Sequence, residues 1–330
     1  MQKFPLVSIC TPTYNRRPFI PMIIRCFEHQ TYPKNKIEWI IVDDGTDKID
    51  KLVSHIPQVK YIRVESKLTL GKKRNLAHSH CTGDIIIYMD DDDYYPPDRI
   101  SHAVEMLCKY PDKLCAGSSE MFIYYKHIKQ MYTLGPYKDN HATAATFAFR
   151  KELLRETKFD ETACIAEEKH FLKNYSIPMI QLDSLKTILV FSHEHNSFDK
   201  KQLLTQSGAT QNKFVNKSNI TVDSFVKDKD IYKFFMHDID DMLSHYEPGS
   251  AINKPDVLLA QAHIQIERHK QSRALLENEL IKTNTIMNKM QTRIQELELD
   301  NKLLIDKTVY LNDKIKFFIQ NKITETRNLI

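Results

Sequence analysis

The chain has 330 residues, 42% hydrophobic and 27% charged, which is enough to bury a sizeable core and too apolar for a disordered protein. Its 47 basic and 43 acidic residues leave a net charge of +4, a balance too mild to imply a nucleic-acid binder, since no face needs to be strongly basic. Only seven residues are glycine, against architectures of repeated glycine turns, and six scattered cysteines with no Cys-x-x-Cys pair argue against a zinc ribbon or a thioredoxin-like site.

No stretch reaches the roughly 20 apolar residues of a membrane span. The opening run from Phe4 to Pro12 lacks a basic leader and reads as a strand, so the protein is expected to be cytoplasmic. Leu6–Cys10 is β-prone and is expected to stop at Pro12, with a helix over 19–29. A second strand over 37–42 ends at Asp43-Asp44-Gly45, and Asp47 is placed to cap a short helix reaching Ile56. A third strand over 59–64 precedes a helix over 71–80. The most strand-like segment, 84–89, then runs into four aspartates, and 97–109 reads as a helix with proline in its first turn. This alternation predicts an α/β fold: a mostly parallel, Rossmann-like sheet with helices on both faces and ligands at the carboxyl ends of its strands.

Signals from 114 to 196 are mixed, with a strand expected to end at Val190-Phe191. Residues 201–254 form a polar connecting region with a helical fragment over 230–245 and no assignable role. Beyond Pro255 there is neither proline nor glycine. A heptad with Leu280, Met287, Ile294, Asn301, Thr308 and Ile315 at a places Thr283, Met290, Leu297, Leu304, Leu311 and Phe318 at d. Nine of these twelve positions are apolar, and the period holds at 3.5. The pattern predicts a coiled coil over 255–330, with Asn301 favouring a parallel pair, hence a homo-oligomer; an amphipathic helix folded back on the globular part is the alternative.

Three segments carry chemistry. Four carboxylates, Asp90 to Asp93, follow a buried strand and would repel one another unless a cation neutralises them. Asp90 and Asp92 are placed to share a hard ion such as Mn2+ or Mg2+; taken alone, the run also fits a solvated loop or a helix cap. Asp43 and Asp44 end another strand and can accept hydrogen bonds from a base or ribose, although strand-Asp-Asp-Gly is also a common turn. Gly71-Lys72-Lys73-Arg74 opens a helix with three cations suited to phosphates, or to an ordinary exposed basic face.

With Pro12-Thr13-Tyr14-Asn15-Arg16 these segments resemble, in order and spacing, the nucleotide-binding half of the family 2 glycosyltransferases, which have the GT-A fold. The matching pieces are Val42-Asp43-Asp44-Gly45, Gly71-Lys72-Lys73-Arg74-Asn75-Leu76-Ala77, and Met89-Asp90-Asp91-Asp92-Asp93 with Pro97-Asp98-Arg99 after it. The resemblance is specific over 5–101, weaker to about 200, and absent from the C-terminal third. It implies a GT-A domain over 1–200, divided into a nucleotide-binding half (1–110) and an acceptor half (111–200).

The resemblance further implies that Thr11, Tyr14 and Arg16 line the base and diphosphate, with Tyr14 stacking on the base. Asp44, beside Asp43, would read the base edge, uracil first, and Arg74 would contact the nucleotide. Asp90 to Asp92 would be the DxD element, with Asp92 the direct metal ligand and Asp90 or Asp91 near the donor sugar. In Ala166-Glu167-Glu168, similar to the family's acidic pair, Glu168 would be the general base for an inverting displacement and Glu167 its neighbour; the family's usual form is Glu-Asp. His193 and His195 follow a strand and would face one side as further metal ligands if that strand continues. Expected partners are a nucleotide-diphospho-sugar, UDP-sugar first, and a hydroxyl acceptor.

Two competing enzyme readings fail on single positions. A haloacid-dehalogenase-like phosphatase needs a nucleophilic aspartate where Val42 stands, and a sugar nucleotidyltransferase needs glycine in the Thr11–Arg17 loop. A non-catalytic nucleotide-sugar-binding head on a coiled-coil scaffold is the alternative from another class.

Overall fold

The computed structural model describes residues 4–196, 200–205 and 214–327; residues 206–213 of the connecting region lie outside it. The chain divides into two compact units, Met1–Ala262 and His263–Ile330.

The first unit contains two sheets. β1 (Val7–Thr13), β2 (Ile37–Asp43), β3 (Val59–Arg63) and β4 (Ile85–Tyr88) are parallel, in the order β3-β2-β1-β4. β5 (Cys115–Gly117), β8 (Ala148–Arg150) and β9 (Met179–Gln181) extend the sheet beyond β4 in the order β8-β5-β9, with β8 antiparallel to both neighbours. The strands read as unbroken apolar runs because both faces are covered. Ile9, Trp39, Ile41 and Ile87 point into one core, while Cys10, Ile40, Val42, Ile86 and Tyr88 point into the other. The expected mixed α/β architecture with a mostly parallel sheet is therefore present.

The chain runs outward from β1 to β2 to β3 and then returns to the other side of β1 as β4. A crevice opens where the strand order reverses, outside the carboxyl ends of β1 and β4, and this is where such sheets bind ligands. A second sheet joins β6 (Met121–Tyr125), β7 (Gln130–Leu134), β10 (Leu189–Ser192) and β11 (Val215–Lys217) in the order β10-β6-β7-β11.

Several element boundaries differ from expectation, each for a local reason. β1 does not stop at Pro12 but runs to Thr13. Its ladder to β4 ends at Cys10 and Tyr88, so an imino acid at position 12 removes no bond on that side. Asp47 does not cap a helix, because its carboxylate takes the Arg17 guanidinium at 2.6 and 2.7 Å and the Tyr246 hydroxyl at 2.8 Å; the helix there is one turn, Asp50–Val53. The helix after the acidic run is Arg99–Lys109, with Pro97 outside it. The fragment expected over 230–245 contains one π-helical turn, Phe234–Asp238, between Lys229–Lys233 and Ile239–Ser244.

A 73-residue helix, Pro255–Arg327, carries the heptad pattern. Its apolar seam is exposed, with Leu280, Met290, Leu304 and Phe318 all at least 60% accessible. Among the described residues no helix is long and apolar enough to cross a membrane.

Candidate active site

The loop after β1 carries Tyr14, Asn15 and Arg16 across the crevice. Asn15 adopts φ 53° and its side-chain oxygen accepts from the Asp47 backbone N–H at 2.9 Å, which ties this loop to the one after β2. Within that second loop the two aspartates have separate tasks. Asp43 accepts the backbone N–H groups of Gly45 and Ile49 at 2.9 and 3.0 Å and the Tyr61 hydroxyl at 2.6 Å, so its carboxylate is used inside the turn. Asp44 accepts the Leu68 N–H at 2.7 Å and forms a buried ion pair with Lys73, whose ammonium also donates to the Thr13 carbonyl at 3.1 Å. Thr11 is buried as well, donating to the Met89 carbonyl at 2.6 Å and accepting the Trp39 indole N–H at 2.8 Å. Its reach is into the sheet. Tyr14 lies above, its ring 5.2 and 5.6 Å from the ammonium groups of Lys67 and Lys73.

The helix Leu70–His80 starts with Thr69 as its cap, accepting the Lys72 N–H at 3.4 Å. Gly71 lets it approach closely, since a Cβ there would lie 1.9 Å from the Asp160 carbonyl. Lys73 and Arg74 are thereby turned into the protein instead of presenting an exposed basic face. Arg74 packs over the Tyr88 ring at 4.3 Å, donates from Nε to Glu167 at 2.9 Å and reaches Asp90 from Nη1 at 3.4 Å. The acidic box and the acidic pair, 77 residues apart in sequence, thus meet at one guanidinium.

The four aspartates occupy different surroundings. Arg16 lies 3.7 Å from Asp91 and 3.1 Å from Asp92. Burial opposes ionisation of Asp92, but Arg16 and His193 outweigh it and hold its carboxyl well below the usual range. Asp91 is pushed up to about 7 by burial and by the charge of Asp92, and Asp93 is raised by the same two causes.

His193 reaches the box because Tyr94 and Leu189 exchange backbone hydrogen bonds at 2.9 and 3.0 Å, joining the end of the acidic run to β10. Its Nε2 lies 3.4 Å from Asp92 Oδ2, and burial pushes the imidazole down to about 3, so it is neutral at pH 7. The expected continuation of that strand does not occur. β10 ends at Ser192, and a turn closed by Asn196 aims His195 elsewhere, beside Tyr246 and Gly249. In the acidic pair, Glu167 is buried under Arg74, whereas burial and the neighbouring Glu167 push the Glu168 carboxyl up to about 7.

Among the described residues no three His, Cys, Asp or Glu side chains converge into a preformed metal cage. Asp92 and His193 nevertheless lie side by side, 3.4 Å apart, and Asp91 Oδ2 is buried without a hydrogen-bond partner. Such a partial donor set suits Mn2+ or Mg2+, which take their remaining ligands from phosphate and water.

Lys254 gave no signal in the sequence. Its ammonium is buried in the same crevice, 3.4 Å from the His195 carbonyl, and burial and the charge of Arg16 push it down to about 7.

These elements make the carboxyl-end crevice a site of clustered acids and cations where the strand order reverses. Residues 8–165 match the family described as glycosyl transferase family 2. Similar proteins include the poly(ribitol-phosphate) beta-N-acetylglucosaminyltransferase TarS of Staphylococcus aureus, 29% identical over 112 residues that make up 32% of this chain and 19% of TarS. The putative colanic acid biosynthesis glycosyl transferase WcaA of Escherichia coli is 32% identical over 106 residues, 31% of this chain and 37% of WcaA. The chain therefore spans well under half the length of these relatives. Among solved structures, the mannosyltransferase PcManGT from Pyrobaculum calidifontis, in complex with GDP-Man and Mn2+, matches 57% of each chain at 20% identity and a TM-score of 0.47.

Proposed function

We propose that the protein is a glycosyltransferase that moves a sugar from a nucleotide-diphospho-sugar, a UDP-sugar first, to an acceptor hydroxyl with inversion. The observation that carries this reading is the Arg74 bridge, which brings the acidic box and the acidic pair to one crevice at the strand-order reversal. The match of residues 8–165 to glycosyl transferase family 2 and relatives named as glycosyltransferases support it. A scaffold that only bound the donor would have no use for a desolvated carboxylate at that point.

In this reading Tyr14 stacks on the base while Asp44, paired with Lys73, holds the loop beneath it, and Asp92 and His193 hold a divalent ion, with Asp90 and Asp91 toward the ribose and sugar. When bound, the ion offsets the charge that builds on the departing diphosphate. Arg16 and Arg74 act in the same sense from the protein side. Glu168 takes the proton of the acceptor hydroxyl as that oxygen attacks the anomeric carbon. The donor sugar is a hexose or N-acetylhexosamine. The long helix pairs in parallel with a second copy through its 280–318 seam, making a homodimer.

The test is a thermal-shift series with UDP, GDP, dTDP and CMP in Mn2+, Mg2+ or EDTA. Ligand at about 100 times its dissociation constant stabilises by about 2.7 kcal/mol, a readable shift. A metal-dependent shift with UDP that is lost in Asp92→Ala supports the reading. No shift with any nucleotide overturns it.

A further inference from the structure

Two segments meet beside the short helix that Glu168 opens. One is the loop 135–142, which follows β7; the other is the turn 173–175, which follows the helix Glu168–Phe171. The rings of Tyr137 and His141 have their centroids 4.5 Å apart, and His141 stacks on Tyr175 at 4.8 Å with the planes 27° apart. All three side chains are half-buried, so each ring in the row keeps part of its surface open to solvent.

The backbone is strained to place this row. Lys173, Asn174 and Tyr175 are three consecutive left-handed residues, with φ 49°, 57° and 63°, and none is glycine. A bulky side chain is disfavoured in that region, and such strain persists only where the surrounding structure holds it. The other segment is held as firmly. The Gln181 side-chain amide, at the end of β9, donates to the carbonyls of Asp139 and His141 at 2.6 and 3.1 Å. Ala142 is fully buried against Gly117.

The polar edges of the row are free. Among the described residues the hydroxyls of Tyr137 and Tyr175 meet no hydrogen-bond partner, and Nδ1 of His141 is buried without one. Burial lowers the pKa of the imidazole and raises those of both phenols, so the row is uncharged at pH 7. A matching ligand has an apolar face to lie on the rings and neutral polar groups around its rim. A pyranose has both, with C–H groups on its face and hydroxyls at its edge. A flat hydrocarbon would leave Nδ1 and the two hydroxyls unpaired, and a phosphate would meet no cation in the row. Glu168 lies seven positions before Tyr175, and its charge acts on the Tyr175 hydroxyl, so a sugar seated there lies beside the carboxylate proposed as general base.

We propose that Tyr137, His141 and Tyr175 form the acceptor subsite, a stacking platform for an uncharged pyranose, so that the acceptor hydroxyl belongs to a carbohydrate. The inference rests on the sugar-transfer reading above and names its acceptor class.

The experiment is saturation-transfer NMR on the full chain, with and without UDP and Mg2+. The probes are the methyl glycosides of glucose, galactose, mannose and N-acetylglucosamine, with glycerol and ribitol as acyclic polyols. Wild type is compared with Tyr137→Ala, Tyr175→Ala and Tyr175→Phe, each first checked for an unchanged melting temperature and unchanged UDP affinity. The expected result is transfer to the ring C–H protons of at least one glycoside and to neither polyol. That signal should fall at least about fivefold in a folded alanine variant and be largely kept in Tyr175→Phe. No glycoside signal in wild type, an equal signal from the polyols, or an unchanged signal in both alanine variants would overturn the proposal. A glycoside signal from wild type that binds no nucleotide would instead overturn the donor reading and leave the platform standing.

Discussion

Arg74 holds Glu167 by its Nε at 2.9 Å and Asp90 by its Nη1 at 3.4 Å, so one buried guanidinium joins two acidic motifs that the sequence separates. This contact divides the labour within the Glu167-Glu168 pair. Glu167 is spent on Arg74, and in the proposed reading Glu168 is then the carboxylate left for an acceptor.

Glu168→Gln is accordingly expected to lower the transfer rate by about 10²–10⁴, the usual contribution of a general base, with UDP affinity unchanged. Glu167→Gln is expected to act differently, destabilising the fold because Arg74 then loses its buried counter-charge. Single-turnover assays and denaturant melts, run on both variants, separate the two roles. Loss of UDP affinity in Glu168→Gln would contradict the assignment.

The rate should also carry a pH signature. Burial and Glu167 push the Glu168 carboxyl up to about 7, so it is protonated, and unable to accept a proton, below that pH. The rate is expected to fall about tenfold per pH unit below 7 and to level above it. In Glu168→Gln the residual rate should lack this limb. The stability effect has the opposite sense: a raised carboxyl binds its proton more tightly folded than unfolded, so its contribution declines as pH rises from the ordinary carboxylate range toward 7.

Lys73 is the buried counter-ion of Asp44. Lys73→Met should cost about 3–5 kcal/mol, because Asp44 is left charged and unpaired in the interior. The double variant with Asp44→Asn should cost less than the two single changes added together, which a double-mutant cycle by urea denaturation measures.

Gly71→Ala should destabilise through sterics alone. The new methyl group would lie 1.9 Å from the Asp160 carbonyl, forcing apart the Leu70–His80 helix and the loop that leads to Glu167. Overpacking of this kind costs about 1–3 kcal/mol, and here it should also misplace Arg74 and weaken transfer.

The long helix exposes Leu297 and Leu304 at successive d positions. Sedimentation equilibrium should give twice the monomer mass for the full chain and the monomer mass for Leu297→Asp/Leu304→Asp. A monomeric wild type would remove the paired coiled coil.

Much of the fold could be read directly. Strands covered on both faces produce apolar runs such as Ile85-Ile86-Ile87-Tyr88, and the absence of proline and glycine after Pro255 announced one long helix. The motifs at the strand ends were equally legible, because Asp90 to Asp93 and Gly71-Lys72-Lys73-Arg74 are contiguous and chemically conspicuous. What local sequence cannot encode is which partner each side chain meets. Asp43 and Asp44 are adjacent and identical, yet one closes a turn and the other neutralises a lysine 29 positions away. His193 and His195 look like a pair, but β10 stops at Ser192 and only His193 faces Asp92. Lys254 resembles any surface lysine until the chain folds back over the crevice and buries it. Periodicity and composition fix elements because they act between near neighbours, whereas burial, charge pairing and shifted pKa values arise between residues that only tertiary folding brings together.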